Sequence, residues 1–277
     1  MENILNDVSL LIVGYDPYKD VWDHYFELLE RYWPERPKTY LATNELTPDY
    51  NNVTVIPAGK DAEWSKKVIV ALEQIDTPFV VLLLEDFFTT RPVDSSKLAE
   101  LLTYMKKDNL NYCKLLNQSK IKGKIYDGKK YIRITNSDDE YGISLQPSIW
   151  RKEFLSETVG TENYNAWIFE FNQVRDKKQN KNGIDCIGDR RNVLEITHTV
   201  VQSKYLRKAV RVFKKQDYEI NLAARPMLSK KDNFKYRLKR VVAAKKPPKF
   251  AKKVFKKFGR LIKVDFVSDR QLKEKKK

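Results

Sequence analysis

Hydrophobic positions along this chain alternate between unbroken runs and helical spacing. Val8 to Tyr15 opens with a run that Gly14 and Asp16-Pro17 end, which predicts a strand. From Tyr18 to Trp33 the apolar residues Val21, Trp22, Tyr25, Phe26, Leu28, Leu29 and Tyr32 recur at helical spacing, and Pro34 and Pro37 stop the pattern. Thr39 to Thr43 and Val53 to Ile56 read as short strands. Asp61 to Gln74 reads as a second helix, with Trp64, Val68, Ala71, Leu72 and Ile75 on one side. Phe79 to Leu84 is a continuous apolar run entered from Thr77-Pro78, the pattern of a strand buried on both faces. This order predicts a parallel α/β sheet of the nucleotide-binding kind.

Beyond it, Ser96 to Lys107 predicts a helix and Tyr112 to Leu116 a strand. Residues 117–142 are polar and read as a hairpin or excursion loop. Ser144 to Trp150 returns to the core, with a short helix from Arg151 to Leu155. Tyr164 to Val174 predicts a further helix, 176–183 a charged loop, and Val193 to Val201 a last strand. The whole is an α/β fold, a mixed sheet flanked by helices.

Charge divides the chain. Residues 204–277 hold 27 Lys+Arg against 6 Asp+Glu, a net of +21, whereas residues 1–203 hold 26 against 31, a net of −5. The expected division is a body, 1–203, and a basic extension, 204–277. Asn233 to Ala244 and Lys249 to Lys263 set Phe, Leu, Val and Ile on one side and Lys and Arg on the other, the pattern of helices lying in a membrane interface. An anionic membrane surface, met through residues 233–263, is the expected partner. No apolar run approaches a membrane span, and the amino terminus has no basic-then-apolar leader pattern, so the expected place is the cytoplasmic face of a membrane. Cys113 and Cys186 have no metal-type spacing and point to a reducing compartment.

Candidate chemistry gathers at Glu85-Asp86, directly after the buried run. Ligands of open α/β sheets bind at the carboxyl ends of strands. Paired carboxylates there are costly unless compensated, and a divalent ion bridging them to a substrate phosphate is the usual compensation.

The order of elements resembles the GT-A class of nucleotide-sugar-dependent glycosyltransferases, in particular bacterial enzymes that build capsular and other surface polysaccharides. The resemblance rests on Leu11-Ile12-Val13-Gly14-Tyr15-Asp16, on the Trp64 helix ahead of Thr77-Pro78, on Leu84-Glu85-Asp86-Phe87, and on Gln146 to Trp150 followed by Trp167 to Glu170. Glu85-Asp86-Phe87 stands where that class has Asp-any-Asp, with a phenylalanine in place of the last carboxylate. The resemblance implies a GT-A-like fold, a nucleotide-sugar donor, a divalent cation (Mn²⁺ or Mg²⁺) and a lipid-linked glycan or polysaccharide acceptor, with inversion. It implies donor contacts at Tyr15, Asp16, Asn44, Glu85 and Asp86. Asp86 is the expected metal ligand and His198 a second one. Glu170 is the expected base, with Asp138, Asp139 and Glu140 as rivals. Gln146, Trp150 and Trp167 are expected at the acceptor, although the two tryptophans fit a core equally well. Lys204 and the pair Arg190-Arg191 are alternatives for the diphosphate. The competing reading is a nucleic-acid-binding protein with a catalytically silent α/β domain. The acidity of the body disfavours it, and no nucleic-acid partner is expected.

Overall fold

A computed structural model describes residues 4–116, 121–137, 142–175 and 185–244; of 174–175 and 238–244 it describes the backbone only. The acidic turn Asp138-Asp139-Glu140, the loop at 176–183 and the second basic segment, Lys249–Lys263, lie outside the described residues. In chain order the elements are β1 (Val8–Val13), α1 (Lys19–Tyr32), β2 (Thr39–Thr43), β3 (Val53–Pro57), α2 (Trp64–Gln74), β4 (Phe79–Leu84), β5 (Phe87–Thr89), α3 (Ser95–Lys107), β6 (Tyr112–Lys114), β7 (Ile125–Tyr126), β8 (Lys129–Thr135), β9 (Ser148–Arg151), α4 (Lys152–Val159), α5 (Ala166–Arg175), β10 (Cys186–Asp189), β11 (Ile196–His198), β12 (Val200–Val201), β13 (Lys204–Tyr205), α6 (Arg207–Lys214) and α7 (Lys230–Ala244).

Among the described residues one mixed sheet runs in the order β3-β2-β1-β4-β9-β6-β10-β8-β7. The first four strands are parallel, with Val8 opposite Phe79 and Val13 opposite Leu84. β9 is antiparallel to both β4 and β6, so it begins where they end: Ser148 faces Leu82 on one side and Lys114 on the other. Residues 144–147 therefore lie along the same edge as Glu85-Asp86. The mixed sheet with helices on both faces is the fold class the sequence predicts.

β1 and β4 are buried along both faces, as their uninterrupted apolar runs require. One face packs Leu10, Ile12, Val81 and Leu83 under α1 and α3. The other packs Leu11, Val13, Val80 and Leu82 under α2, α4 and α5.

Besides β10, which the sequence reading leaves unassigned, two features differ from it. The single last strand expected over Val193–Val201 is broken. β11 pairs with β5, and β12 pairs with β13 in a hairpin whose turn residues Gln202 and Ser203 have φ near +49° and +58°. The chain folds back there instead of extending. In addition, the core does not end at residue 203. Tyr205, Leu206, Ala209, Phe213, Tyr218, Ile220 and Leu228 are buried in the same cluster as α1. Phe88 meets Phe213 at 5.8 Å and Tyr205 at 6.5 Å between ring centroids. Arg225 reaches back to α1 and gives Asp20 two hydrogen bonds, at 2.9 and 2.7 Å, with its guanidinium over the Tyr18 ring. Basic residues make up the outer faces of this segment, so its composition looks like a tail while its apolar residues belong to the body.

Phe213→Ala should therefore lower global stability by about 3–5 kcal/mol, the cost of an emptied aromatic site in a core. Urea unfolding followed by fluorescence and circular dichroism should show one transition at lower midpoint. A loss confined to a minor early transition would mean that residues 204–228 form an independent appendage.

Candidate active site

The site is built where β1, β2 and β4 end. After β1 the chain enters Gly14-Tyr15-Asp16. Gly14 donates to the Ala42 carbonyl at 2.9 Å, and a Cβ at this position would lie 2.7 Å from the Trp22 ring. Only glycine lets the turn approach that indole. Both Asp16 oxygens are engaged: they accept from the backbone N–H of Asn44 and Glu45 at 2.8 Å and of Leu46 at 2.9 Å. Asp16, expected to contact the donor, thus ties the β1 turn to the loop after β2. Asn44 is committed in the same way. Its amide donates to Lys60 and Ala62 carbonyls at 3.1 and 2.8 Å, and its Oδ1 accepts from Lys67 at 3.1 Å. Tyr15 is different: its ring is 51% exposed, an aromatic face open to solvent above the turn.

Lys67 is a site residue that the sequence reading missed. It lies on the buried side of α2 and sends its ammonium group to the Gly14 carbonyl at 2.6 Å, 5.7 Å from the Tyr15 ring centre. Burial pushes its pKa down, and the carboxylates of Glu85, Asp16 and Glu63 push it back up. The signal was available: Lys67 stands three residues after Trp64 and four before Ala71, on the apolar stripe of its helix.

Glu85 is only 9% exposed and turns inward. Its Oε2 accepts from the Tyr15 backbone N–H at 2.9 Å and from the Trp22 indole N–H. Loss of solvent pushes its pKa up to about 8, against the pull of those two donors. Glu85, expected to touch the donor, instead holds the turn that carries Tyr15.

Asp86 faces the other way. Oδ2 is 2.7 Å from His198 Nε2, and the backbone carbonyl accepts from Thr199 at 2.7 Å. The pairing of β11 with β5 places His198 opposite Phe87, and the two rings stack at 5.2 Å. Asp86 Oδ1 is buried without a hydrogen-bond partner among the described residues. Buried polar atoms are nearly always paired, so this oxygen is a candidate contact for a cation or ligand. Among the described residues no group of three or more His, Cys, Asp or Glu side chains is arranged to hold a metal. Two donors, Asp86 and His198, suit a hard divalent ion that takes its remaining ligands from water and substrate phosphates.

Across the edge, residues 144–147 form the opposite wall. Glu170 on α5 accepts from the Leu145 N–H at 2.8 Å. Burial pushes its pKa up, while the Leu145 N–H and the Lys114 ammonium pull it down. Gln146 Oε1 is a second buried oxygen without a partner among the described residues. Trp167, three residues before Glu170 on the same side of the helix, is 73% exposed. Trp150 is not at this surface. It is fully buried between Tyr112, Phe154 and Phe169, and its indole N–H donates to Ser148 Oγ at 2.8 Å. The expectation that it meets an acceptor is corrected: β9 is covered on both faces, so Trp150 packs into the core on one side as Ile149 does on the other. Arg191, an alternative for the diphosphate, is held by Asp189 and Glu100. Lys204 starts β13 in the hairpin beyond His198.

No protein-family model matches the sequence, and no curated protein matches it. Solved structures give low-identity matches. S. aureus TarS matches at 12% identity and a TM-score of 0.45, over 76% of this chain and 38% of that one. The mannosyltransferase PcManGT of Pyrobaculum calidifontis, solved with GDP-Man and Mn²⁺, matches at 10% identity and 0.36, over 66% and 56%. The 2-C-methyl-D-erythritol 4-phosphate cytidylyltransferase of Thermus thermophilus matches at 14% and 0.38, over 69% and 93%. This chain spans 38% of one TarS chain and 55–65% of the 1–349 fragments. At these identities and TM-scores nothing known of those proteins transfers to this chain.

The Glu85 carboxyl makes a stability prediction. Between the usual 4.5 and about 8 the folded protein holds a proton that the unfolded chain releases. Stability from this group is full below 4.5 and is lost as pH rises through 8, by up to about 1.4 kcal/mol per pH unit. Glu85→Gln keeps an acceptor for Tyr15 and Trp22 and removes the titration. Urea midpoints measured from pH 5 to 9 should fall more steeply for the wild type than for the variant. Parallel curves would show that Glu85 is ionised in the folded protein.

Proposed function

We propose that this chain is a nucleotide-sugar-dependent glycosyltransferase of GT-A type. The observation that carries the reading is Asp86: a carboxylate at the end of a doubly buried strand, anchored on one oxygen by His198 and left with a buried, unpartnered second oxygen. A scaffold gains nothing from such an oxygen, whereas a site that must counter a leaving diphosphate does.

In this reading the exposed Tyr15 ring carries the nucleotide base, and Glu85, Asp16, Asn44 and Lys67 hold the turn beneath it rigid. Asp86 and His198 would hold a Mn²⁺ or Mg²⁺ ion. When bound, such an ion supplies positive charge to the departing diphosphate oxygens. The bond between the anomeric carbon and the diphosphate oxygen breaks as the acceptor oxygen bonds to the opposite face of that carbon, with inversion. The acceptor's proton goes to Glu170, whose burial raises its pKa and makes it a better proton acceptor than a solvated carboxylate. Gln146 Oε1 is available to accept from a sugar hydroxyl, and Trp167 offers an exposed ring on which an acceptor sugar stacks.

The acceptor we propose is a lipid-linked glycan at the inner face of a membrane. The basic extension supports this, with its net charge of +21. On α7, Phe234 stands 66% exposed among lysines and arginines. Among the described residues no helix is long and apolar enough to cross a membrane.

A thermal-shift series with UDP, GDP and CDP, with and without Mn²⁺, tests donor binding, since a ligand of the folded state raises its melting temperature. One nucleotide should stabilise the wild type in a Mn²⁺-dependent way and leave Asp86→Ala unchanged. Stabilisation by none of them, or equal stabilisation of the variant, would remove the assignment.

With the donor identified, Glu170→Gln should lower the transfer rate about 10²- to 10⁴-fold without weakening donor binding. A rate within a few-fold of wild type would move the base elsewhere.

A further inference from the structure

Helix α7 of the basic extension reaches into the site. Tyr236 on α7 packs against the core cluster of α1, and its hydroxyl lies 3.2 Å from His198 Nδ1. The other ring nitrogen, Nε2, is 2.7 Å from Asp86 Oδ2, and the ring face rests on Phe87. His198 is thereby gripped on both nitrogens and one face.

A neutral imidazole carries one proton. An ionised carboxylate only accepts, so the bond to Asp86 places that proton on Nε2. Nδ1 then needs a donor, and the Tyr236 hydroxyl supplies one. If Nε2 instead turns its lone pair to a cation beside Asp86, the proton moves to Nδ1. The same hydroxyl, by rotating, then accepts it. A tyrosine therefore satisfies either tautomer, whereas a phenylalanine satisfies neither. The partner on the far nitrogen is what fixes the tautomer and ring orientation of a histidine that binds a metal.

We propose that Tyr236 is a positioning residue for the Asp86–His198 pair, so that the C-terminal extension completes the site as well as carrying it to a surface. The proposal rests on the donor-site reading given above. It also moves the boundary of any shortened chain: a cut before Asn233 removes Tyr236 with the extension.

The test uses the full-length chain and Tyr236→Phe, which keeps the ring and removes only the hydroxyl. The sequence holds two histidines, so ¹⁵N-imidazole spectra of the metal-free protein are simple, and the loss of signals in His198→Gln assigns them. The wild type should show His198 as one tautomer with the proton on Nε2, and Tyr236→Phe should show a mixture. In parallel, calorimetry should find Mn²⁺-dependent nucleoside diphosphate binding weakened about 10- to 100-fold in Tyr236→Phe, with binding in the absence of Mn²⁺ unchanged. An unchanged imidazole spectrum together with unchanged Mn²⁺-dependent affinity would overturn the proposal. A changed spectrum in a wild type that binds no nucleoside diphosphate would keep Tyr236 as the residue that sets the His198 tautomer and would remove the donor-site reading instead.

Discussion

A strand packed on both faces has no inexpensive way to end in carboxylates. β4 ends in two, and much of the surrounding structure answers that constraint. Glu85 is turned inward, takes the Trp22 indole and the Tyr15 amide as donors, and holds its proton well above the usual carboxylate range. Asp86 is turned outward and keeps one oxygen for His198. The answer to Glu85 fixes the turn after β1, and the answer to Asp86 fixes the hairpins after β11. The closeness of Gly14 to Trp22 and the reach of Lys67 to the Gly14 carbonyl follow from the first arrangement. Asp16, with both oxygens taken by the loop after β2, extends the rigid zone one strand further. The two neighbouring acids therefore divide the work, one supporting the floor of the site and the other facing its occupant.

The order of elements was readable from the sequence because β1 and β4 are apolar throughout and α1 and α2 have full apolar stripes. Asp86 and His198, 112 positions apart, are expected by resemblance to be metal ligands; the structure shows a direct hydrogen bond between them. Other residues are ambiguous in sequence for physical reasons. A carboxylate beside a strand end looks alike in sequence whether it faces ligand or protein; Glu85 holds the Tyr15 amide and the Trp22 indole, and Asp16 holds the loop after β2. Trp150 fits a stacking surface and a core equally well by sequence, and only the covering of both faces of β9 decides. β10 is not legible because Cys186-Ile187-Gly188-Asp189 offers only two apolar residues and is held between β6 and β8 by virtue of those neighbours. The compositional step at residue 204 marks a change of surface charge, which tells nothing about where the core ends.

The two walls of the site differ in kind. On one side Tyr15 is tied by its amide to Glu85, and Asp86 and His198 are bonded to each other, to the Thr199 amide and to Tyr236. On the other, Glu170 hangs from one backbone donor, and Trp167 stands in solvent on a helix next to residues 176–184, which the structure does not describe. In the proposed reading the first wall would hold the donor and the second would meet the acceptor.

The Arg225–Asp20 bridge joins positions 205 apart in the chain. Contacts of such separation form late, because the long loop between them must close first. On a ribosome, chain growth runs from the amino terminus, so β1, β4 and both carboxylates emerge long before Arg225, Tyr218 and Tyr236. Until then Phe88 and the outer side of α1 lack the aromatic residues that cover them. A nascent body therefore carries an uncovered apolar face and an ungripped His198, and the segment that closes the first is continuous with the helix that grips the second. Folding and completion of the site are in this way timed to the same late stretch of translation.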